Sequence, residues 1–323
     1  MKKCYNIKMN IWQQLPKHFL CLAPMEGVTD IIFRQVVARA GRPDLFFTEF
    51  TNVSSYASEK GRNNALERLK IAPTDSPIIA QIWGKEPDHF SATAHALQSL
   101  GFSGIDLNMG CPDRHVNKAG GGAAMIRTPD LALKCLESAR QNADSLPVSV
   151  KTRLGYTYVE EYQDWLTLLL KQGLDALTVH LRTRKEMSKV ESHFELIPDI
   201  LNLRNKIAPN TKLIINGDVK NKQQAEKIWQ QYPEIDGIMI GRGIFQNPYC
   251  FTDHQPSKEE LIKLLKLHLN LFEKQDKETS FEPLKHYFKI YINNFPGASD
   301  FRAKLMECHS VEEAQQIVKS MPQ

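Results

Sequence analysis

Short apolar runs rich in β-branched and aromatic residues recur along the chain. They are separated by longer stretches whose apolar residues fall three and four apart. The short runs are "FLCLAPM" (19–25), "LFFTEF" (45–50), "PIIAQIWG" (77–84), "GIDLNMGC" (104–111), "PVSVKTRLG" (147–155), "ALTVHLRT" (176–183), "KLIINGDV" (212–219) and "GIMIGRGI" (237–244). Among the stretches between them, "TDIIFRQVVARAG" opens on a capping threonine or aspartate and closes on glycine, as a helix should. "TPDLALKCLESARQNA" and "NKQQAEKIWQQYP" carry the same helical spacing. Strands that alternate with helices are parallel and joined by crossovers. An open doubly wound sheet and a closed (β/α)8 barrel both satisfy this pattern. Eight strand candidates, over a length close to the ~250 residues typical of the closed form, favour the barrel. An open sheet also tends to carry its phosphate loop after the first strand. Here the glycine-bearing strand ends, "NGD" (216–218) and "GRG" (241–243), come last.

From Ser257 the pattern changes. "SKEELIKLLKLHLNLFEKQ" reads as a helix with Ser257 as cap and Glu260 three residues on, a capping-box spacing. "EPLKHYFKIYINNF" and "SVEEAQQIVKSM" are also helical, and no strand candidate follows. The expected organisation is therefore α/β: a (β/α)8 TIM barrel over residues 1–256, then a smaller all-α helical bundle over 257–323.

Composition narrows the function classes. At 323 residues, 42% hydrophobic and 24% charged, the chain can bury a sizeable core and is not a disordered protein. A formal charge of +4 is compatible with a polyanionic partner but argues for one only weakly. The six cysteines, Cys4, Cys21, Cys111, Cys135, Cys250 and Cys308, form no CxxC pair, so neither a metal site nor a disulfide framework is expected. No apolar run reaches the ~18 residues of a membrane span. The basic N-terminus "MKKCYNIKMNIWQQLPKHF" lacks the apolar core of a secretory signal. A reducing, cytoplasmic location is expected.

In such a barrel the active site lies at the C-terminal strand ends. The polar residues there are Pro24-Met25-Glu26, Glu49 with Asn52, Gln81, Asn108 with Cys111, Lys151 with Arg153, His180 with Arg182, Asn216-Gly217-Asp218 and Gly241-Arg242. Members of the pairs 151/153 and 180/182 are two apart and share a side of their strand, which predicts a cationic pocket. An unpaired interior lysine is costly, so Lys151 should face an anionic ligand at the rim. The loops after strands seven and eight often bind phosphate in this fold, and "NGD" and "GRG" occupy them. Their glycines let backbone N–H groups approach an anion, and Arg242 adds charge-assisted bonds. Cys111 sits just past a strand end between Gly110 and Pro112, with its thiol towards the mouth; the other five cysteines read as buried hydrophobes. A thiol near its ordinary pKa of ~8.5 can act as a general acid, and one with a lowered pKa as a nucleophile. Spacing does not choose between the two.

Taken in order, "LAPMEGVTD", "DLNMGCP", "VKTRLG", "VHLRTR", "INGDV" and "MIGRG" resemble the tRNA dihydrouridine synthase family, flavoenzymes that reduce a uridine of tRNA. The resemblance covers residues 20–250 and extends into the helical tail. "CPDRHVNKAGGGAAM" is similar to the branch that modifies position 16 of the D-loop. The resemblance implies FMN in the barrel mouth, NADPH as reductant, and tRNA bound around its D-loop and elbow by a monomer. It implies that Pro24, Met25 and Glu26 line the flavin and that Gln81 and Lys151 hydrogen-bond its ring or ribityl chain. His180 and Arg182 would lie near ring or phosphate, and Asn216, Gly217, Asp218, Gly241 and Arg242 at the phosphate end. Asn108 would touch the target base and Cys111 would give a proton to uracil C5 after hydride reaches C6. The glycine-rich loop after Cys111 would rearrange around the inserted nucleotide. Asn52 is a further candidate tRNA contact. In the tail, Lys285, Lys289, Arg302 and Lys304 form a basic cluster, with Lys285 and Lys289 expected on one helix face. Two departures stand out: Leu181 replaces a common glycine, and Phe194 an expected tryptophan. An FMN barrel reducing a small dihydropyrimidine or enoate would share the flavin site. The order of motifs and the tail argue against it.

Overall fold

In the computed structural model, residues 10–275, 280–293 and 295–320 are described. Eight parallel strands form the barrel: β1 (Phe19–Leu22), β2 (Phe46–Phe47), β3 (Ile78–Trp83), β4 (Gly104–Met109), β5 (Val148–Arg153), β6 (Ala176–His180), β7 (Lys212–Asn216) and β8 (Gly237–Ile240). β8 pairs back onto β1, with Leu20 beside Ile238. The β1–β2 seam closes through one bridge, Cys21 with Leu45. β2 is shorter than the apolar run at 45–50 predicts. Thr48 N still donates to Ile79 O at 3.0 Å, but Glu49 turns its carboxylate to Gly27 N at 2.6 Å. Pairing with β3 resumes only at Thr51–Asn52.

Side chains alternate along a strand, so every second residue enters the barrel. Those inward positions are apolar at the N-terminal end and polar at the other. Ile79 precedes Gln81 on β3, Ala176 precedes Thr178 and His180 on β6, and Ile214 precedes Asn216 on β7. Trp12, 2% exposed, plugs the apolar end from the short helix Ile11–Gln14, whose cap Asn10 exchanges hydrogen bonds with Gln13. The helices cover the outer face. Asp30 caps Ile31–Gly41 by accepting from Phe33 N at 2.7 Å, and Asn221 caps Lys222–Gln231.

Ser257 caps helix Lys258–Glu273, and the predicted capping box with Glu260 is formed. The tail does not have a core of its own. Its buried residues join the core between barrel and helices. The His268 and Tyr287 rings lie 5.9 and 4.8 Å from that of Phe33, on Ile31–Gly41. Tyr287 Oη donates to Val28 O at 2.6 Å, which ties the tail to the loop after β1. The single helix expected over 282–295 is instead a 3-10 turn, Glu282–Tyr287, running into a short α-helix, Phe288–Tyr291. Helix Ala298–Glu307 carries no side-chain cap signal, because it starts from Gly297 at φ +79°. Among the described residues no helix is long and apolar enough to cross a membrane.

Replacing Tyr287 by Phe leaves the Val28 carbonyl without this donor. Thermal or urea unfolding should show a loss of about 1–2 kcal/mol. An unchanged midpoint would show that the latch contributes nothing.

Candidate functional site

The C-terminal strand ends surround a cavity of about 530 Å³, inside the ~300–1,000 Å³ usual for small-molecule and cofactor sites. Pro24, Met25, Gln81, Asn108, Cys111, Lys151, Arg153, His180, Asn216, Gly217, Asp218, Gly241 and Arg242 line it. Strand register brings them together: Asn108 sits beside Lys151, and Arg153 beside His180, which sits beside Asn216.

One wall is cationic. Lys151 Nζ donates to Asn216 Oδ1 at 3.0 Å, its only hydrogen-bond partner among the described residues. An ammonium has three donors, so two remain for a ligand. Burial, reinforced by the Arg153 charge, pushes its pKa down to about 8, which leaves it mostly charged at neutral pH. His180 is held well below its ordinary pKa, first by burial and then by Arg153, Lys151, Arg182 and Arg242. It is neutral, and its Nδ1 is buried with no hydrogen-bond partner among the described residues. The turn after β7 takes a left-handed path at Gly217 (φ +124°) and Asp218 (φ +52°). A Cβ on Gly217 would meet Ser192 Oγ at 2.5 Å, so only glycine fits there. Asp218 bridges Arg182 and Arg242, the latter at 2.9 Å. Partial burial raises its pKa, but the Arg182 bond and charge outweigh this and hold the carboxyl below its usual range.

Cys111 lies across the strand ends on the loop after β4. Gly110 N and Cys111 N both donate to Asn108 Oδ1, at 3.1 and 2.8 Å. Asn108 Nδ2 donates to Gln81 Oε1 at 2.9 Å, and Gln81 Nε2 to Asp106 Oδ2 at 2.7 Å. The Cys111 carbonyl accepts from Asn117 Nδ2 at 2.7 Å and from Ala123 N at 3.1 Å. Burial raises the thiol pKa, and this outweighs the opposing influence of Arg153 and Lys151. The thiol is therefore protonated at neutral pH, which favours an acid over a thiolate nucleophile. Two glycines of the following loop allow close packing in this conformation. A Cβ on Gly121 would strike the Trp83 ring, and one on Gly122 the Cys111 carbonyl.

Other expected site residues stand elsewhere. Glu26 does not line the cavity; its exposed carboxylate pairs with Arg68 at 2.5 Å. Arg182 is 2% exposed and lies behind the lining, donating to Val190 O at 2.7 Å and to Asp218. Asn52 is spent on capping helix Val53–Ala57 through Ser54 N and Ser55 N. Lys285 does not share a face with Lys289. Lys285 is 9% exposed and its Nζ pairs with Glu282 at 2.7 Å, whereas Lys289 is exposed. Arg302 is half-buried and donates to Ile292 O at 2.7 Å. Lys289 and Lys304 are exposed. Cys21, Cys135, Cys250 and Cys308 are buried, and Cys4 lies outside the described residues. The cavity also takes Phe50, Met187, Ser188, Lys220 and Gln246. Phe50 ends the apolar run 45–50 and Lys220 follows the run 212–219, whereas Met187 and Ser188 lie in a loop with no pattern to mark them.

Among solved structures, the barrel matches morphinone reductase at a TM-score of 0.51 and 12% identity, over 72% of this chain and 84% of that one. It matches the old yellow enzyme homologue from Zymomonas mobilis at 0.51 and 13%, over 90% and 98%. At such low identity these likenesses show the fold alone. In sequence the chain is 48% identical to the "Probable tRNA-dihydrouridine synthase 2" of Bacillus subtilis, over 96% of this chain and 95% of that one. It is 48% identical to the "Probable tRNA-dihydrouridine synthase" of Staphylococcus epidermidis, over 97% and 96%. The family model "Dihydrouridine synthase (Dus)" matches residues 21–323, which include every residue lining the cavity. The chain belongs to the dihydrouridine synthase family.

Proposed function

We propose that this protein reduces a tRNA uridine, at position 16 of the D-loop, to 5,6-dihydrouridine, with FMN in the barrel mouth and NADPH as reductant. The observation that carries the proposal is a protonated Cys111 thiol in the same cavity as a cationic, hydrogen-bonding wall. That wall fits an anionic flavin. His180 Nδ1 lacks a partner, Lys151 has two free donors, and the Gly217 turn leaves no room for a side chain. Pro24 and Met25 would line the ring, with Gln81 and Lys151 bonding the ring or ribityl chain. His180 would lie near the ring, and Asn216, Gly217, Asp218, Gly241 and Arg242 at the phosphate end. Glu26 and Arg182 would act from outside, the second by holding Asp218. Bound there, the flavin supplies the hydride for uracil C6. Cys111 Sγ holds the proton for C5, and Asn108 places the loop that carries it. The uridine must leave the folded RNA to reach this depth.

The rim offers a partner surface for RNA. The exposed side chain of Tyr158 carries Lys185 Nζ at 5.8 Å from its ring centroid. The Tyr156 ring is covered by Arg127 and Arg184 at 5.1 and 5.5 Å. Interleaved rings and cations suit unstacked bases and phosphates. We place the tRNA contacts there, with Lys289 and Lys304 of the tail as supplements.

Cys111→Ala should keep bound flavin, read by its visible absorbance, and lose roughly hundredfold or more of dihydrouridine formation. Full activity in that variant would remove the acid assignment. Since the acid must be protonated and its pKa is raised, turnover limited by this proton should persist above the ordinary thiol value of ~8.5. A fall in activity already below that pH, absent from the Cys111→Ser background, would contradict a raised thiol. Lys185→Ala should weaken tRNA binding and reduce the slope of log K against log salt by about 1, without releasing flavin. An unchanged slope would move the RNA off this rim. Sequencing tRNA from a strain lacking the gene should show dihydrouridine absent at position 16; loss at another position alone would overturn the positional assignment.

A further inference from the structure

Asp106 is wholly buried on β4 below the cavity and does not line it. Its Oδ1 accepts from Ser149 Oγ at 2.6 Å and its Oδ2 from Gln81 Nε2 at 2.7 Å. From Gln81 the bonds run through Asn108 to the backbone N–H groups of Gly110 and Cys111. Both ends of this chain are one-way. Backbone N–H groups only donate, and a carboxylate only accepts. Two amides between such ends have one consistent orientation: each presents its NH2 towards Asp106 and its carbonyl towards Cys111. Turning either amide over sets donor against donor and acceptor against acceptor in a buried site.

We propose that Asp106 is a positioning residue: by terminating the Gln81–Asn108 relay with an acceptor, it holds the backbone at Gly110–Cys111 and so fixes the thiol at the cavity edge. The proposal rests on Cys111 as the acid of the reaction, but the relay itself can be tested without substrate. Gln81 and Asn108 thus do more than touch a ligand. Gln81 Nε2 uses one of its two N–H groups on Asp106, which leaves the other for a ligand in the cavity that both amides line.

The test is alkylation of Cys111 by iodoacetamide in the purified holoenzyme, followed across pH by the mass of the Cys111-containing peptide. The other described cysteines are buried and serve as internal controls. Asp106→Asn keeps an acceptor facing Gln81 and turns its NH2 to the Ser149 oxygen. It should alkylate within about twofold of wild type, with the same pH profile. Asp106→Leu removes the acceptor and should alkylate at least about threefold faster, as the anchored loop loosens. Its kcat for dihydrouridine formation should fall at least about tenfold, with KM for tRNA little changed. Should Asp106→Leu fail to fold, Gln81→Met, which fills the same space without amide groups, carries the same expectation. Leucine or methionine variants that alkylate like wild type would overturn the proposal. So would an Asp106→Asn protein as reactive as Asp106→Leu, since charge and not acceptor direction would then matter. If the alkylation pattern holds while wild-type enzyme forms no dihydrouridine, the relay stands and the assigned reaction falls.

Discussion

A closed parallel barrel must fill its own interior, and every polar group placed there must find a partner. Here that demand sets the structure of the site. The inward positions step from apolar residues around Trp12 to a layer of Gln81, Asp106, Ser149 and Thr178, then to the groups that meet the cavity. Asp106 bears the hardest condition. Burial raises its pKa to about 6 against the opposing effects of Ser149, Gln81 and nearby Lys151. A carboxylate so placed must be satisfied on both oxygens. Ser149 satisfies one oxygen and Gln81 the other, and Gln81 in turn accepts from Asn108, the amide that holds the loop of Cys111. Core packing and chemistry are thus one hydrogen-bonded object, not a scaffold with a site attached.

The tail meets the same cavity from the other side. Tyr287 grips the carbonyl of Val28, and Glu49 and Thr29 hold Gly27 N and Met25 N at 2.6 and 2.9 Å. Buried Arg34 reaches Thr29 O at 2.8 Å and pairs with Asp75. The loop that supplies Pro24 and Met25 is therefore held by the tail, by the segment after β2 and by the first barrel helix. A flexible first loop would leave the cavity without one wall. The helical tail, whatever it binds at its surface, already has a structural task in ordering that wall.

The barrel is legible in the sequence because its signals are local. Eight apolar runs of period two, spaced by helices with caps such as Asp30 and Ser257, leave few topologies. The cavity residues are legible for a related reason: a strand end is a definite place, and polar residues two apart must share a side. What escapes depends on geometry that no local pattern encodes. Arg182 has the right spacing, but a bend after His180 sends it to Val190 and Asp218. Lys285 sits four residues from Lys289 in a segment that looks α-helical, yet the segment starts as a 3-10 turn in which Lys285 is buried and paired with Glu282. Glu26 follows two lining residues and is drawn outward by Arg68. Asp106 reads as one more strand residue; nothing in "GIDLNMGC" shows that it ends a chain of amides begun on a neighbouring strand. For Arg182, Glu26 and Asp106 a tertiary contact decides the side chain's direction or partner; for Lys285 the local backbone itself departs from the expected α-helix.

The charges explain why one cavity can favour both an anion and a protonated thiol. Burial first, and then Arg153, Lys151, Arg182 and Arg242, keep His180 neutral, and Arg153 and Lys151 alone would also draw a proton off Cys111. Two features prevent that. Asp218 ties down Arg182 and Arg242, and backbone carbonyls of Gly110, Thr183 and Met187 engage Arg153 at 2.8, 3.0 and 3.0 Å, so three of the four cations already have partners of their own. The thiol itself is desolvated by the loop that Asn108 and Asn117 hold in place. Loosening that loop would admit water to the sulfur and expose it to the cationic wall, and the thiol would drift towards thiolate. The hydrogen bonds that hold residues 108–122 are therefore an electrostatic device as well as a geometric one: they keep the thiol desolvated and protonated near several positive charges.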